Sequence, residues 1–253
     1  MITKNFYPFK IFKIFIFIFI NLLHLNNKAQ DVDRVIDQYF NTINHKEICN
    51  INSITIKGTR ASVGERDFIE IIQRPDKYRC DYDIGPDKFS LIYDGENGWQ
   101  INPFSPGNKI EYLIEHAIDL VQIKENADID GILFNWREKG HKVILCNDKD
   151  TMYNEFYKLK IITRDHDTLY YFLNSNNYYL IKKTYIFKNG EQTIKTHLFF
   201  SDHRKVNGMI FPFKIETFQY NNLISTISIN TIIFNIEYDN HFFKSNTEEN
   251  GVH

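Results

Sequence analysis

Cysteine is scarce in this chain, and the cysteines present are widely spaced. The 253 residues include Cys49, Cys80 and Cys146 and no others. Three thiols allow at most one disulfide within the chain, so the sequence has no disulfide framework. Structural zinc sites use paired ligands two to four residues apart, and this spacing is missing. We interpret the cysteines as buried or incidental and predict no metal site.

The sequence also lacks the short motifs that mark nucleotide binding and common hydrolases. It contains no GxxxxGK[ST] phosphate loop, no GxGxxG, no GxSxG elbow and no His-Glu-x-x-His helix. Asp165-His166-Asp167 could orient a histidine with a carboxylate, but a turn between strands also attracts these residues. His197, Asp202 and His203 could bind a metal, yet their spacing at a strand end fixes no geometry. We favour the structural interpretations and predict a non-enzymatic protein without a cofactor.

The first 29 residues have the pattern of a secretory signal peptide. Lysines precede an apolar run from Ile14 to Leu23, and Asn27-Lys28-Ala29 is a plausible processing site. The run is shorter than the roughly 20 apolar residues that span a bilayer. The first cysteine, Cys49, lies far from the processing site, so no thiol there can receive a lipid. We therefore predict a protein that acts outside the cytoplasm, is exported by a cleaved signal peptide and is not lipid-anchored.

Charge excludes a further class of partner. The chain carries a net charge of −2, and its first 29 residues hold four lysines and no acidic residue. Removal of this segment leaves about −6. Nucleic-acid binding depends on clustered positive charge. The sequence therefore predicts no nucleic-acid partner, and the missing phosphate loop predicts no nucleotide.

Two segments have the apolar periodicity of amphipathic helices. In Asp31–Asn44, apolar residues recur at three- and four-residue steps, and Asp31 is placed to cap the helix. The second segment starts soon after residue 108. Its apolar face comprises Ile110, Leu113, Ile114, Ala117, Ile118 and Val121. Each apolar stripe must be covered, so we predict that both helices pack on a sheet.

Most of the remaining sequence consists of short segments rich in β-branched and aromatic residues, separated by turn residues. Tight connections between consecutive strands imply an antiparallel meander. Several strands exceed the usual five or six residues, and a long twisted sheet of this kind tends to curl. The predicted strands are Ser53–Arg60, Phe68–Arg74, Lys77–Ile84, Lys88–Tyr93, Trp99–Asn102, Lys142–Cys146, Tyr153–Thr163, Thr168–Leu173, Tyr178–Lys188, Thr193–Ser201, Phe211–Tyr220 and Leu223–Phe234.

Two turn motifs resemble those of a known family. One is DGxxGW, formed by Asp94, Gly95, Gly98 and Trp99, and the other is VxGxxxP, formed by Val206, Gly208 and Pro212. They occur with a signal peptide, an amphipathic helix, Ser53-Ile54-x-Ile56-x-Gly58, Arg74-Pro75-Asp76-Lys77-Tyr78-Arg79 and Tyr170-Tyr171. Taken in order, these features resemble the outer-membrane lipoprotein-sorting, or LolA-like, carrier family over roughly residues 31–243.

The resemblance implies a fold and a function. The expected fold is mainly β: a single curved antiparallel sheet, an open half-barrel, with two or three helices across its concave face. An apolar cavity in it would hold lipoprotein acyl chains. No motif marks a counterpart of the arginine on an early strand that helps to hold the lid in the family, and Arg60 is one candidate. The domain plan is a signal peptide at 1–29, a lipid- or lipoprotein-carrier domain at 30–243 and a polar tail at 244–253.

We therefore predict a periplasmic, chaperone-like carrier of lipoprotein acyl chains or another lipid, loaded by an inner-membrane donor and unloaded to an outer-membrane acceptor. The two helices are the candidate lid. The alternative is a non-enzymatic envelope module that binds a protein or peptide with the same concave sheet, and every candidate could equally be ordinary core. The candidate cavity residues are Ile54, Ile56, Ile69, Ile71, Phe213, Ile215, Ile227 and Ile229.

Overall fold

A computed structural model describes residues 31–105, 110–112, 118–146, 155–189 and 192–244. The predicted signal peptide and the tail beyond residue 244 lie outside these ranges. No described helix is both long and apolar enough to cross a bilayer.

The described residues form mainly β-strands. The strands are β1 (Ser53–Ser62), β2 (Gly64–Gln73), β3 (Lys77–Ile84), β4 (Asp87–Tyr93), β5 (Gly98–Ile101), β6 (Ile110–Tyr112), β7 (Lys142–Cys146), β8 (Phe156–Ile162), β9 (Thr168–Asn174), β10 (Leu180–Asn189), β11 (Gln192–Val206), β12 (Met209–Gln219) and β13 (Asn222–Phe234).

Within the described residues, these strands form one antiparallel sheet in the order β6-β5-β4-β3-β2-β1-β13-β12-β11-β10-β9-β8-β7. Consecutive strands pair as hairpins along each half, and β1 pairs with β13 in the middle. In the described part of the chain, the edge strands β6 and β7 do not pair, so the sheet is open. This architecture confirms the predicted fold class, a mainly β protein with an open antiparallel sheet.

The sheet is strongly curved. Leu91 on β4 and Tyr185 on β10 line one and the same cavity. Seven strand spacings separate β4 from β10, which would place the two strands about 34 Å apart in a flat sheet. Both can reach a single cavity only because the sheet curls around it.

A bulge between β1 and β13 contributes to the curvature. The register shifts between Lys57 and Gly58, and Asn230 is left without an opposite residue. A β-carbon at position 58 would lie 2.2 Å from the carbonyl oxygen of Ser228. Only glycine allows this close approach, and a bulge of this kind bends the strand and increases its twist.

The helices occupy the concave face. Residues 31–43 are helical (α1), as predicted, and α2 spans His45–Ile48. The third helix, α3, spans Ile118–Ala127. In one core cluster Ile123 of α3 packs with residues of β1–β4, β12 and β13, and in a second Val121 packs with α1 and β7–β10. The helix α3 therefore lies between the two halves of the curved sheet.

The predicted bounds of the second helix, 110–121, are wrong at their start. Ile110 lies in β6, where it pairs with Ile101 of β5. Leu113, Ile114 and Ala117 fall outside the described residues. Ile118 and Val121 do belong to a helix, but that helix continues to Ala127. The apolar spacing of a strand with a following helix imitated one longer helix, because short apolar runs do not distinguish the two states.

A carboxy-terminal segment, residues 235–244, packs on the convex face. The hydroxyl of Tyr238 lies 2.7 Å from Thr55 Oγ1 on β1. Arg79 on β3 donates from Nη1 to the Phe242 carbonyl at 2.9 Å, and its guanidinium lies 4.5 Å from the Phe242 ring. Phe243, in a 3-10 helix spanning Asn240–Phe243, is fully buried. The segment thus gives the convex face an apolar core of its own.

Substitution of Phe243 tests this packing. Phe243→Ala should lower the free energy of unfolding by about 3–5 kcal/mol, since a buried aromatic side chain is removed and a cavity remains. The matched control is Phe104→Ala, because Phe104 is 72% exposed and its loss should change stability by no more than about 0.5 kcal/mol. Urea denaturation measures both. Equal stabilities of the two variants would contradict the packing.

Candidate functional site

The concave face and α3 enclose a cavity of about 390 Å³. This volume is within the range of small-ligand pockets, roughly 300–1,000 Å³. Its apolar walls come from strands on both sides of the β1–β13 pair. These walls include Ile54, Ile56, Phe68, Ile72, Phe211, Ile215, Ile227, Ile229 and Ile232.

Five of the eight candidate cavity residues line this cavity: Ile54, Ile56, Ile215, Ile227 and Ile229. Phe213 packs in the adjoining core cluster. Ile69 and Ile71 lie on the convex face, because Phe68, Glu70 and Ile72 are the residues of β2 that face inward. Apolar side chains on both faces of β2 concealed this orientation in the sequence. Contact of any of these residues with a lipid stays a prediction.

The candidate scaffold residues lie in or beside two turns of the sheet, and of them only Pro212 lines the cavity within the described residues. Asp94 Oδ1 accepts from the backbone N–H groups of Glu96 and Asn97, at 2.9 and 2.7 Å. Gly98 and Trp99 begin β5, and Trp99 is buried. The positive φ angles at Gly95 and Gly208, 105° and 88°, favour glycine.

The second motif also contacts the helical layer. Val206 ends β11 and Pro212 lies near the start of β12. Between them, the Gly208 carbonyl accepts from Asn44 Nδ2 at 3.3 Å. This contact ties the end of α1 to the β11–β12 turn.

One end of the cavity is polar. Arg60 donates from Nη1 to the hydroxyl of Tyr82 at 3.2 Å, and its guanidinium lies 5.2 Å from the Tyr82 ring. Asp119 of α3 and Ser225 of β13 line the same cavity. Burial raises the pKa of the Asp119 carboxyl, and the positive charge of Arg60 opposes this rise.

A second carboxyl group, that of Glu70, faces the cavity from β2. Burial raises the pKa of the Glu70 carboxyl, whereas a hydrogen bond with Tyr78 and the charge of Lys183 lower it. Ionisation of Glu70 therefore costs free energy in the folded protein. The cavity is apolar along most of its walls but contains a carboxyl group midway along the sheet.

Buried charge connects α3 to the sheet. The Glu125 carboxylate accepts hydrogen bonds from the hydroxyls of Tyr171 and Tyr185 and from the ammonium of Lys183. Lys183 and Glu125 have side chains only 14% and 4% exposed. Desolvation, reinforced by the Glu125 charge, raises the pKa of both tyrosines well above the usual range. A single carboxylate thus joins α3 to β9 and β10.

A second ionic contact lies just beyond the carboxy-terminal end of α3. Arg74 donates to the carbonyl of Ile51 at 2.6 Å and to Asp130 Oδ1 at 2.6 Å, and it also reaches the Ile48 carbonyl. The Arg74 guanidinium lowers the pKa of the Asp130 carboxyl. Arg74 therefore joins the end of α2 to the loop after α3. The sequence showed Arg74 only as part of a motif and gave no sign that it pairs with Asp130.

The same region brings together His45, Cys49 and Asp130, whose ligand atoms lie within 4.8 Å of one another. Arg74 already neutralises the Asp130 carboxylate. Burial raises the pKa of the Cys49 thiol, which disfavours the thiolate that a metal requires. These residues do not fit a metal site, and the three cysteines are all free.

The histidines considered in the sequence have separate structural partners. His166 lies in the β8–β9 turn with a positive φ angle of 69°. His197 Nδ1 lies 2.9 Å from Thr184 Oγ1, and His203 Nε2 lies 3.1 Å from the Leu180 carbonyl. These contacts fit the structural interpretation of both groups.

No protein-family model and no curated protein matches the chain. Solved structures do match. A DUF1329 family protein from Desulfovibrio piger superposes with a TM-score of 0.57 at 11% identity, covering 84% of this chain and 98% of that one. A LolA superfamily protein from Nitrosomonas europaea superposes with a TM-score of 0.53 at 8% identity, covering 77% of this chain and 90% of that one. A putative outer membrane lipoprotein-sorting protein domain from Vibrio parahaemolyticus superposes with a TM-score of 0.50 at 10% identity, covering 78% of this chain and 90% of that one.

These matches confirm the LolA-like resemblance at the level of the fold. At 8–11% identity, similarity of backbone shape says nothing about cargo. The chemistry of the cavity has to be argued from this chain's own side chains.

The Glu125 cluster allows a direct test. Glu125→Gln should reduce the free energy of unfolding by about 3–5 kcal/mol, because it leaves the Lys183 charge buried without a counterion. Adding Lys183→Met should restore much of this loss. The control is Asp165→Asn, which removes a carboxylate that pairs with Lys124 and Arg164 and is about one-third exposed, and this change should cost at most about 1 kcal/mol. Chemical denaturation measures all four proteins, and an unaffected Glu125→Gln variant would refute the cluster's role.

The raised pKa of Glu70 predicts a pH-dependent stability. The folded protein holds the Glu70 proton more tightly than the unfolded chain, so stability falls as pH rises from the unfolded pKa through the folded one. Glu70→Gln should remove this fall. The variant should gain stability over the parent protein as pH rises from about 4 towards neutrality. Glu65→Gln, at an exposed position of β2, is the control, and a pH-independent difference for Glu70→Gln would contradict the assignment.

Proposed function

We propose that this protein is a periplasmic, non-enzymatic carrier that binds an acyl chain in the concave cavity. The observation that carries this proposal is a hollow of about 390 Å³ with aliphatic walls beneath a helix. A sheet that needed only a core could fill this space with side chains, since protein interiors are normally packed without voids of this size.

The volume suits a single chain. A methylene group is close to a water molecule in size, roughly 30 Å³, so the cavity matches a chain of about a dozen carbons. Transfer of such a chain from water would gain about 10 kcal/mol, at roughly 0.8 kcal/mol per methylene. Cargo with several acyl chains would require α3 to move away from the sheet.

The proposed role includes membrane partners. An acyl chain cannot cross water alone, and the sequence contains no nucleotide-binding motif to drive transport. We expect loading by an inner-membrane donor and unloading to an outer-membrane acceptor. The name of one structural neighbour, an outer membrane lipoprotein-sorting domain, supports this assignment.

A large side chain in the cavity should abolish binding. Ile56→Trp should reduce affinity of the delipidated protein for a fluorescent fatty-acid probe by about tenfold or more, because the indole occupies the space of the ligand. The control is Ile69→Trp, the same change on the convex face of the neighbouring strand. Fluorescence titration measures both, and thermal melts verify folding.

The result also separates the competing functions. Probe binding that survives Ile56→Trp would place the ligand elsewhere. If the parent protein binds no probe and organic extracts of the native protein contain no lipid, the lipid-carrier proposal fails and a protein or peptide ligand for the concave sheet is favoured.

A further inference from the structure

Two buried hydrogen-bond donors face the polar end of the cavity without a partner. Within the described residues, neither Arg60 Nε nor Ser225 Oγ has a hydrogen-bond partner, and Ser225 is only 2% exposed. Both residues line the cavity. Buried donors are nearly always satisfied, so two in one cavity require an explanation.

The charge of Arg60 is also incompletely compensated. In the described part of the chain, no carboxylate forms a salt bridge with Arg60, which donates to the neutral hydroxyl of Tyr82. The Asp119 carboxyl on α3 interacts with the Arg60 charge without a direct ion pair. A guanidinium keeps its positive charge at all physiological pH values. In a cavity with aliphatic walls, such a charge favours an anionic partner.

The two residues are close enough to share a ligand. Arg60 pairs with Ile227 across the β1–β13 ladder, and Ser225 is the next inward-facing residue of β13. Diagonal neighbours of this kind have β-carbons roughly 7–8 Å apart. The arginine side chain spans that distance, so one oxygen-rich group can accept from both.

The aliphatic wall continues from this point along β1. Ile56 and Ile54 face the cavity four and six residues before Arg60. Six residues of strand extend about 20 Å. A bound molecule can therefore place a polar head at Arg60 and Ser225 and a hydrocarbon tail against Ile56 and Ile54.

We propose that Arg60 and Ser225 form a head-group site for the carboxylate of a long-chain fatty acid. This inference rests on the proposed lipid-carrier function and adds the chemical class of the cargo. Arg60 supplies the charge and Nε, and Ser225 donates its hydroxyl. A neutral acyl ester would satisfy the donors but leave the guanidinium uncompensated.

The test compares dodecanoate with methyl dodecanoate, which has the same chain and no charge. Displacement of a fluorescent fatty-acid probe measures both affinities. The parent protein should bind dodecanoate at least about tenfold more tightly than the ester, in line with a charged hydrogen bond. Arg60→Gln should remove this preference and leave ester affinity within about threefold. Ser225→Ala should weaken dodecanoate alone, and Arg60→Lys should retain part of the preference.

The control is Lys57→Gln, which removes the same charge from an exposed position on the same strand. It should leave the preference unchanged. Equal affinity of the parent protein for acid and ester, or a preference that survives Arg60→Gln and Ser225→Ala, would overturn the head-group site while leaving the carrier function intact. Absence of binding of both ligands would instead overturn the carrier function, and this site with it.

Discussion

The pairing of β1 with β13 is the contact on which the rest of the structure depends. It joins a meander of six strands, β1–β6, to one of seven, β7–β13, which share no other strand pair among the described residues. The bulge at Gly58 lies within this pairing. Curvature, and therefore the cavity, follows from the way the two halves meet, because only a bent sheet brings β4 and β10 to the same enclosed space.

The helical layer is held by different forces from the sheet. Backbone ladders fix the strands, whereas α3 is held by its buried apolar side chains and by two ionic contacts, one from Glu125 on the helix to the sheet and one from Asp130 in the loop after it. Polar contacts of this kind can be exchanged for other partners or for water at low net cost, since hydrogen bonds broken on opening are replaced. Movement of α3 away from the sheet, which the proposed function requires for larger cargo, would have to break both the apolar and the ionic contacts while the strand ladders stay intact.

The sequence predicted the positions of the strands well, but it predicted less well which face of the sheet each side chain occupies. Strand ranges such as Lys77–Ile84 agree with the structure, because turn residues delimit them and alternation is visible locally. The face of β2 was not predictable, since Ile71 is buried on the convex face, where a segment from far along the chain contacts the neighbouring strands through Tyr238 and Phe242. Ile110 was assigned to a helix because its partner in β5 is visible only in the sheet. Likewise, nothing in the sequence joins Glu125 to Tyr171, Tyr185 and Lys183, which meet only after both halves have folded.

The distribution of the core explains how the protein can be stable and hollow at once. Among the largest side chains that are fully buried in the described part of the chain, Tyr185 lines the cavity and the others do not. Trp99, Ile71 and Phe243 are buried away from the cavity, and Leu159 and Leu169 belong to the second cluster beneath α1. Burial in these regions adds to the stabilisation from the core cluster that includes cavity-lining residues such as Ile54, Phe68 and Ile72. The cavity walls therefore pack as core on one side and border a hollow on the other, and the burial elsewhere offsets the packing that the hollow forgoes.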